Sequence, residues 1–363
     1  MDKIKTAIFL HGLTGGAGQV VINYFSHMKN RNDYDIDVIT LYVESEQLRQ
    51  KYLDNGMNVI QIPSKKESIK RNIQAMDKLF KAKKYDIVYG HMTLTNCFPF
   101  YVAKRHGIKT RVSHSHLVSN KSFPNRLLAK ATQMLSTDNL ACGIEAGESL
   151  YGKSNFTVFN NAIDLDNFKY DENVRKEIRK KYKISDDEYL IGHIGRFDPQ
   201  KNHIKLIDIF EEIVKLDDKA KLLLVGDGEL LSKIKQKVAQ KGLSKKVIFT
   251  GAVSNVPDFV QAMDVFTLPS LFEGLCLAAI EVQGNGLPCV FSDTVAVETK
   301  KLEQVSFVGL NDSPSKWAEE ILNKKTVLRE KNCAQILRDQ GYDIKQEAQK
   351  LDNRLKADLK QSK

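Results

Sequence analysis

A chain of 363 residues with 42% hydrophobic and 28% charged side chains is long enough for two domains and too apolar for a disordered segment. Its five cysteines (97, 142, 276, 289 and 333) are odd in number and form no CxxC pair, which argues against a disulfide framework or zinc site and fits a reducing cytoplasm. The net charge of +10 is uneven: residues 1–165 hold 22 Lys and Arg against 14 Asp and Glu, the remainder 33 against 31. An anionic partner surface is therefore expected of the N-terminal half.

The opening "MDKIKTAIFLHG" has too short an apolar stretch for a signal peptide, and no segment approaches the ~20 apolar residues that span a bilayer. "TAIFLHG" (6–12), "DIDVITLY" (35–42), "NVIQIP" (58–63), "DIVYGH" (86–91) and "TRVSHSH" (110–116) read as buried strands stopped by Gly, Pro or polar clusters. Helix candidates such as "GQVVINYFSHMKN" and "SIKRNIQAMDKLFKAKK" lie between them, so a parallel sheet with helices on both faces is expected. The pattern breaks in the charged stretch around 160–185. It restarts with "YLIGHIGRF", "AKLLLVGDG", "KKVIFTGAV", "DVFTLPS" and "PCVFSD". The expectation is an α/β protein of two doubly wound, Rossmann-like domains, 1–165 and 166–340, with ligands in a central cleft facing the carboxyl ends of the strands. A polar helix over 341–363 has few apolar positions and should pack by one narrow stripe, back towards the N-terminal domain.

Five motifs carry possible chemistry. In "HGLTGGAGQVV" (11–21) a strand passes through Gly15, Gly16 and Gly18 into a helix, a phosphate-turn context without GxGxxG or P-loop spacing. "HSH" (114–116) places two histidines on one side of an extended segment; no third ligand is evident, hydrogen bonding is the better reading, and His114 is read as structural. The acidic triplets in "DYDID" (33–37) and "DLD" (164–166) are read as turn and capping chemistry, and no metal is expected. In "GRFDPQKN" (195–202) a strand ends at Gly195 and offers Arg196 and Lys201, which suit a diphosphate. In "EGLCLAAIEVQGNG" a helix should start near Leu275, its free N–H groups facing an anion. Glu273 and Glu281, roughly 9–12 Å apart along that helix, either cap and solubilise it or hold hydroxyls of one extended ligand.

"GRFDPQKN", "LLLVGDGEL", "FTGAVSNVPDFVQAMDVFTLPS" and "EGLCLAAIEVQGNGLPCVFSD", in this order, resemble the retaining glycosyltransferases of family 4, and most of all the bacterial exopolysaccharide and capsule transferases. The resemblance implies the two-domain GT-B fold. It also implies a nucleotide-sugar donor, most often a UDP-sugar, held by the C-terminal domain as a co-substrate without metal or other cofactor. Arg196 and Lys201 would contact the diphosphate, Glu281 the ribose and Glu273 the transferred sugar. The donor loop would start at Gly195. Backbone N–H groups of Gly274, Leu275 and Cys276 would help hold phosphate and sugar, and residues around Val253 would line the base. His116 resembles the cleft histidine near the donor sugar, and Gly16 would begin a loop facing phosphate or acceptor. The catalytic set is Arg196, Lys201, Glu273 and His116. Two positions depart from the family: no acidic residue follows Gly15–Gly16, and Cys276 stands where Pro or Gly is usual.

The implied activity is retaining transfer to a saccharide or lipid-linked acceptor in extracellular or capsular polysaccharide synthesis. The alternative is a non-catalytic partner or sensing subunit of the same fold. Nucleic-acid binding lacks a recognition motif. "SKKESIKR" (64–71) and "KSFPNRLLAK" (121–130) combine basic and apolar residues that could rest on an anionic membrane surface, making the protein cytoplasmic with peripheral attachment.

Overall fold

Seven short runs of the N-terminal half pair in parallel: β1 (Ile4–Gly12), β2 (Tyr34–Tyr42), β3 (Met57–Gln61), β4 (Ile87–Gly90), β5 (Thr110–Ser115), β6 (Asp138–Ala141) and β7 (Thr157–Val158), in the order β3-β2-β1-β4-β5-β6-β7. Helices cover both faces of such a sheet. That is why Thr6–Leu10 and Ile36–Leu41 are buried without the alternation of a one-sided strand. The computed structural model describes residues 3–118, 122–153 and 155–362. Its contacts divide the chain into residues 1–162 with 341–363, and residues 163–340.

The second unit repeats the architecture with β8 (Tyr189–Ile194), β9 (Ala220–Val225), β10 (Val247–Gly251), β11 (Val265–Leu268), β12 (Cys289–Ser292) and β13 (Val305–Val308), ordered β10-β9-β8-β11-β12-β13 and all parallel. In each sheet the winding reverses beside the first strand, between β1 and β4 and between β8 and β11. A crevice opens at the carboxyl ends of such a pair, where open α/β sheets bind ligands. The loops that flank it are residues 11–14 and 91–96 in the first unit, and 195–202 and 269–276 in the second.

Strands β6, β7 and β13 escape a reading by apolar runs because they are short or begin on polar residues such as Asp138 and Asn139. The first helix covers Gly15–His27 and so begins on the glycines themselves. The next expected helix runs Ile69–Ala82, and Ser68 caps it by accepting a hydrogen bond from the Arg71 N–H at 3.2 Å. The C-terminal helix Ile344–Ser362 lays Ile344, Ala348, Leu351 and Leu355 into the first unit's core beside Val20, Tyr24 and Phe25. Their 4-3-4 spacing is one helical stripe. Polar contacts fix its register: Arg354 grips Asp138 through two bonds of 2.6 Å, and Asp352 accepts from Tyr34 at 2.8 Å and Asn30 at 2.9 Å. The second core gathers Phe197, Phe210 and Trp317 with the inward faces of β8 and β9.

The acidic triplets have separate fates. Asp164 caps a short helix, accepting from the Asp166 N–H. Asp35 and Asp37 lie inside β2 rather than in a turn; both pair with Lys83, at 2.9 and 2.8 Å, and Asp37 also accepts from Tyr85 and Asn58. Their oxygens are engaged by protein donors. Among the described residues, no helix is long and apolar enough to cross a membrane.

Candidate functional site

In the second unit, the chain leaves β8 at Gly195 and runs through Arg196 to Asn202, whose left-handed φ of 54° turns it into helix His203–Leu216. A Cβ on Gly195 would lie 3.0 Å from Lys201 Cγ, so glycine lets the Lys201 stem pass over the strand end. The loop after β11 is stitched to this one by three hydrogen bonds. Asn202 donates to the Pro269 carbonyl at 3.1 Å, the Leu271 N–H to the Gln200 carbonyl at 2.8 Å, and Gln200 to the Phe272 carbonyl at 3.1 Å.

These ties bring Lys201 Nζ to 2.6 Å from Glu273 Oε1, which also accepts from Ser270 Oγ at 3.0 Å. Cys276 Sγ lies 3.5 Å from the same ammonium. Burial works against the charge on Lys201, but Cys276 and Glu273 outweigh it and hold its pKa above the ordinary lysine value. Burial pushes the Cys276 thiol up, so it is neutral near pH 7.

The following helix runs Leu277–Gly284, two residues later than expected from sequence. Glu273 forms a parallel bridge with Val295, the chain bends at Gly274 and Leu275, and Cys276 is extended (φ −77°, ψ 115°), so the first helical turn begins only at Leu277. Among the described residues no side chain caps this helix, and no acidic residue occupies its first turn, so its N-terminal dipole is open to an anion. Gly274 is exposed, with open space where a Cβ would lie. Glu281 is half-buried in the helix, and Val253 is half-buried in the loop after β10. Arg196 is exposed, and among the described residues none hydrogen-bonds its guanidinium.

Sequence reasoning passed over the glycines of "VGDG" as site-forming residues. Gly226 has φ +140°, and a Cβ there would fall 2.1 Å from the Gly195 carbonyl oxygen; Gly228 has φ +158°, and a Cβ there would fall 2.6 Å from the Phe197 carbonyl oxygen. They hold the Gly195 loop from below. Their signal was the Gly-x-Gly directly after an apolar strand.

In the first unit, Gly16 is exposed with open space around it, whereas a Cβ on Gly18 would meet the Leu13 carbonyl oxygen at 2.4 Å. Gly18 is therefore the packing glycine and Gly16 the accessible one. A carboxylate from just beyond β2 braces the residues before Gly15–Gly16. Glu44 accepts from the Leu13 N–H at 2.9 Å and from Thr14 Oγ1 at 2.7 Å. Burial works against its charge, yet these hydrogen bonds hold it below the usual carboxylate range.

At the neighbouring strand ends, His116 shares a 2.8 Å hydrogen bond with His91, and the His114 ring stacks on His116 at 4.3 Å. Tyr89 bonds His114 Nδ1 at 2.8 Å. The β4–β5 register, Gly90 opposite Ser113, is what brings His91 alongside "HSH". Burial lowers all three histidines, His116 to about 4, so the cluster is neutral at pH 7. Among the described residues, one nitrogen of each ring, His91 Nε2, His114 Nε2 and His116 Nδ1, is buried without a hydrogen-bond partner.

One ligand atom from each of these histidines lies within 4.8 Å of the others, so His91 is the third imidazole that sequence did not reveal. His91 and His116 each spend one nitrogen on the other, and His114 spends one on Tyr89. Lys65, from the "SKKESIKR" stretch, is turned inward beneath Phe98 at 4.9 Å, and burial brings its pKa down to about 8.

The structure thus brings Gly195, Lys201, Glu273 and Cys276 together in one unit and places Gly16 and His116 at adjacent strand ends of the other.

Comparison with known proteins covers both units. Residues 14–138 match the family described as "Glycosyl transferase 4-like", and residues 174–322 match "Glycosyl transferases group 1". EpsF of Bacillus subtilis (strain 168), provisionally a glycosyltransferase, is 29% identical over 92% of this chain and 91% of its own length. The Escherichia coli UDP-Gal:alpha-D-GlcNAc-diphosphoundecaprenol alpha-1,3-galactosyltransferase is 28% identical over 80% of each chain. Among solved structures, Anabaena Alr3699/HepE in complex with UDP-glucose superposes with a TM-score of 0.80 at 17% identity, over 97% of this chain and 99% of that one. WaaG, a glycosyltransferase involved in lipopolysaccharide biosynthesis, gives 0.71 at 18% identity, over 95% and 99%.

Proposed function

We propose, from the premise that this chain belongs to the glycosyltransferases of the GT-B fold, that it moves a sugar from a nucleoside-diphosphate donor to a saccharide or lipid-linked saccharide during polysaccharide assembly. UDP is the expected nucleotide, since similar chains are described with UDP, UDP-glucose or UDP-Gal. The observation that carries this reading is the nearly buried Lys201–Glu273 pair beside an uncapped helix end.

In this mechanism the anomeric C–O bond to phosphate breaks and its electron pair stays on the phosphate oxygen. The acceptor hydroxyl attacks from the same face, its oxygen forms the new glycosidic bond, and its proton passes to the departing phosphate, so configuration is retained. Lys201 stays protonated at neutral pH. With Arg196 and the dipole of helix 277–284 it stabilises charge developing on the diphosphate, so no metal is assigned to the step. Glu273 already accepts from Lys201 and Ser270, and its remaining lone pairs orient a sugar hydroxyl. Glu281 holds the ribose, and Val253 borders the base. Cys276, a neutral thiol, is no nucleophile. In the first unit, His116 serves as an uncharged hydrogen-bonding group for sugar, and Gly16 leaves room at the turn for the acceptor.

Purified full-length chain is to be incubated with a panel of nucleotide sugars, a lipid-diphosphate-linked saccharide acceptor and EDTA, with the product's anomeric configuration read by NMR. Retained configuration and turnover that survives EDTA are expected. Inversion, or loss of turnover restored by a divalent ion, would overturn the mechanism. Wild-type-like turnover in Arg196→Ala and Lys201→Ala would overturn the assignment of the diphosphate site.

A further inference from the structure

Lysine stems ordinarily lie along apolar surface and keep the ammonium in water. Lys65 does the reverse. The residue is only half-buried, yet its Nζ is buried over the Phe98 ring and has no hydrogen-bond partner among the described residues, the one lysine of them in that state. Its inward turn is fixed by the backbone on either side. The buried Asn72 amide donates to the Pro63 carbonyl at 2.7 Å, and the Ser68 N–H donates to the Ser64 carbonyl at 3.1 Å.

Neighbouring acids do not answer this charge. Glu67 is exposed and accepts from Ser64 at 2.9 Å, and Glu44 is engaged by Leu13 and Thr14. Burial pushes the Cys97 thiol up, so it is neutral at pH 7. Residues 87–137, which supply Phe98 and Cys97, contain seven Lys and Arg and no Asp or Glu. A buried charge is costly unless paired, and a lysine kept for structure would have its partner in the fold.

The ammonium lies near the strand ends where the first sheet reverses its winding. Partial burial and the Lys65 charge lower the pKa of His11, near the end of β1, so this imidazole is neutral at pH 7. Thr95, in the loop after β4, holds its hydroxyl 3.4 Å from His11 Nε2. That loop is bolted down by Asn96, which accepts from the Met92 N–H at 2.8 Å and donates to the Gly90 carbonyl and to Ser113 Oγ, both at 3.0 Å. It keeps the β-branched Thr93 at a left-handed φ of 49°, a strain that surrounding contacts must sustain and that clusters at ligand clamps.

We propose that Lys65, with His11 and Thr95, forms a subsite of the first unit for an oxyanion, phosphate or carboxylate, carried by the sugar acceptor. The assignment rests on the transferase reading above and narrows the acceptor to an anionic saccharide. An oxyanion supplies the missing counter-charge and accepts charge-assisted hydrogen bonds from the ammonium, while the neutral imidazole and the hydroxyl offer further donors. An uncharged acceptor would leave the ammonium buried and unpaired, which is how such a site discriminates.

The test is calorimetric titration of the full chain, saturated with UDP, with N-acetylglucosamine 1-phosphate, glucuronic acid and N-acetylglucosamine. One or both charged sugars should bind about tenfold or more tightly than the neutral one; which of them does so tells phosphate from carboxylate. Lys65→Met should bring the charged sugars to the neutral level, and Lys65→Arg should restore most of the difference. Because Met relieves an unpaired charge, Lys65→Met should unfold at a urea concentration no lower than wild type. The subsite is overturned if charged and neutral sugars bind the wild type equally, or if Lys65→Met keeps the preference. A lowered urea midpoint would overturn it as well, by showing the ammonium to be a structural tie. Charge preference that depends on Lys65 in a chain that neither binds UDP nor transfers sugar would instead fault the transferase reading and leave the anion site standing.

Discussion

The two units solve one topological problem with opposite electrostatics. Each places its candidate groups at the carboxyl ends of two parallel strands where the winding reverses. In the second unit those groups form a charged pair, Lys201 with Glu273, closed at 2.6 Å and sheltered from water. In the first they are three imidazoles, all kept neutral by burial and each with one nitrogen unpartnered among the described residues. A buried ion pair suits a ligand whose charge grows during reaction, whereas a neutral cluster suits hydroxyl recognition, where a permanent charge would bring a large desolvation cost. Fold alone therefore does not divide the labour; the residues grafted on the strand ends do.

The sharpest way to break this contrast is Lys201→Ala. Turnover should fall about 10²–10³-fold, as for loss of one preorganised electrostatic group, and urea unfolding should show roughly 3 kcal/mol of destabilisation because Glu273 is left buried and uncompensated. Full activity would mean that the pair is structural. Gly226→Ala comes next. It forces a Cβ against the Gly195 carbonyl oxygen at a φ of +140°, and a loss of about 2–3 kcal/mol is expected in the same assay. A neutral result would show that this loop is looser than its geometry implies.

The histidine cluster predicts a pH dependence of defined sign. The pKa of His116 falls on folding from 6.5 to about 4, so the unfolded state binds the proton more readily. Stability is then complete above pH 6.5 and is lost as pH falls towards 4, by roughly 2 kcal/mol at pH 5 from this residue. His193 and His203 of the second unit are lowered by burial too, so the difference between wild type and His116→Asn, followed by denaturant unfolding at pH 7.5 and 5, isolates the term. An unchanged difference would remove the neutral cluster from the account. The smallest effect is expected of Glu44→Gln, which weakens the hydrogen bonds to Leu13 and Thr14 and should cost about 1 kcal/mol. A differential scanning calorimetry trace indistinguishable from wild type would show that the glycine turn holds itself.

Ten of the thirteen strands among the described residues were legible as apolar runs, because a parallel strand buried on both faces leaves a mark within a few residues. Gly195 and Lys201 could be read from the loop that follows an apolar run. Glu44 and His91 were not singled out, since nothing near them in sequence says what they touch, and the Gly-x-Gly of Gly226 and Gly228 marked a turn without naming its partner.

Local composition by itself determined where strands, turns and helices fall, that two sheets exist, and that the basic excess belongs to the first half of the chain. Tertiary structure alone decided which strand ends become neighbours. Lys201 meets Glu273 across 72 residues and His91 meets His116 across 25. The physical reason is range: apolar periodicity and backbone preference act over one turn or one pleat. Strand order, by contrast, is set by how whole crossovers pack, and no short window of sequence contains that information.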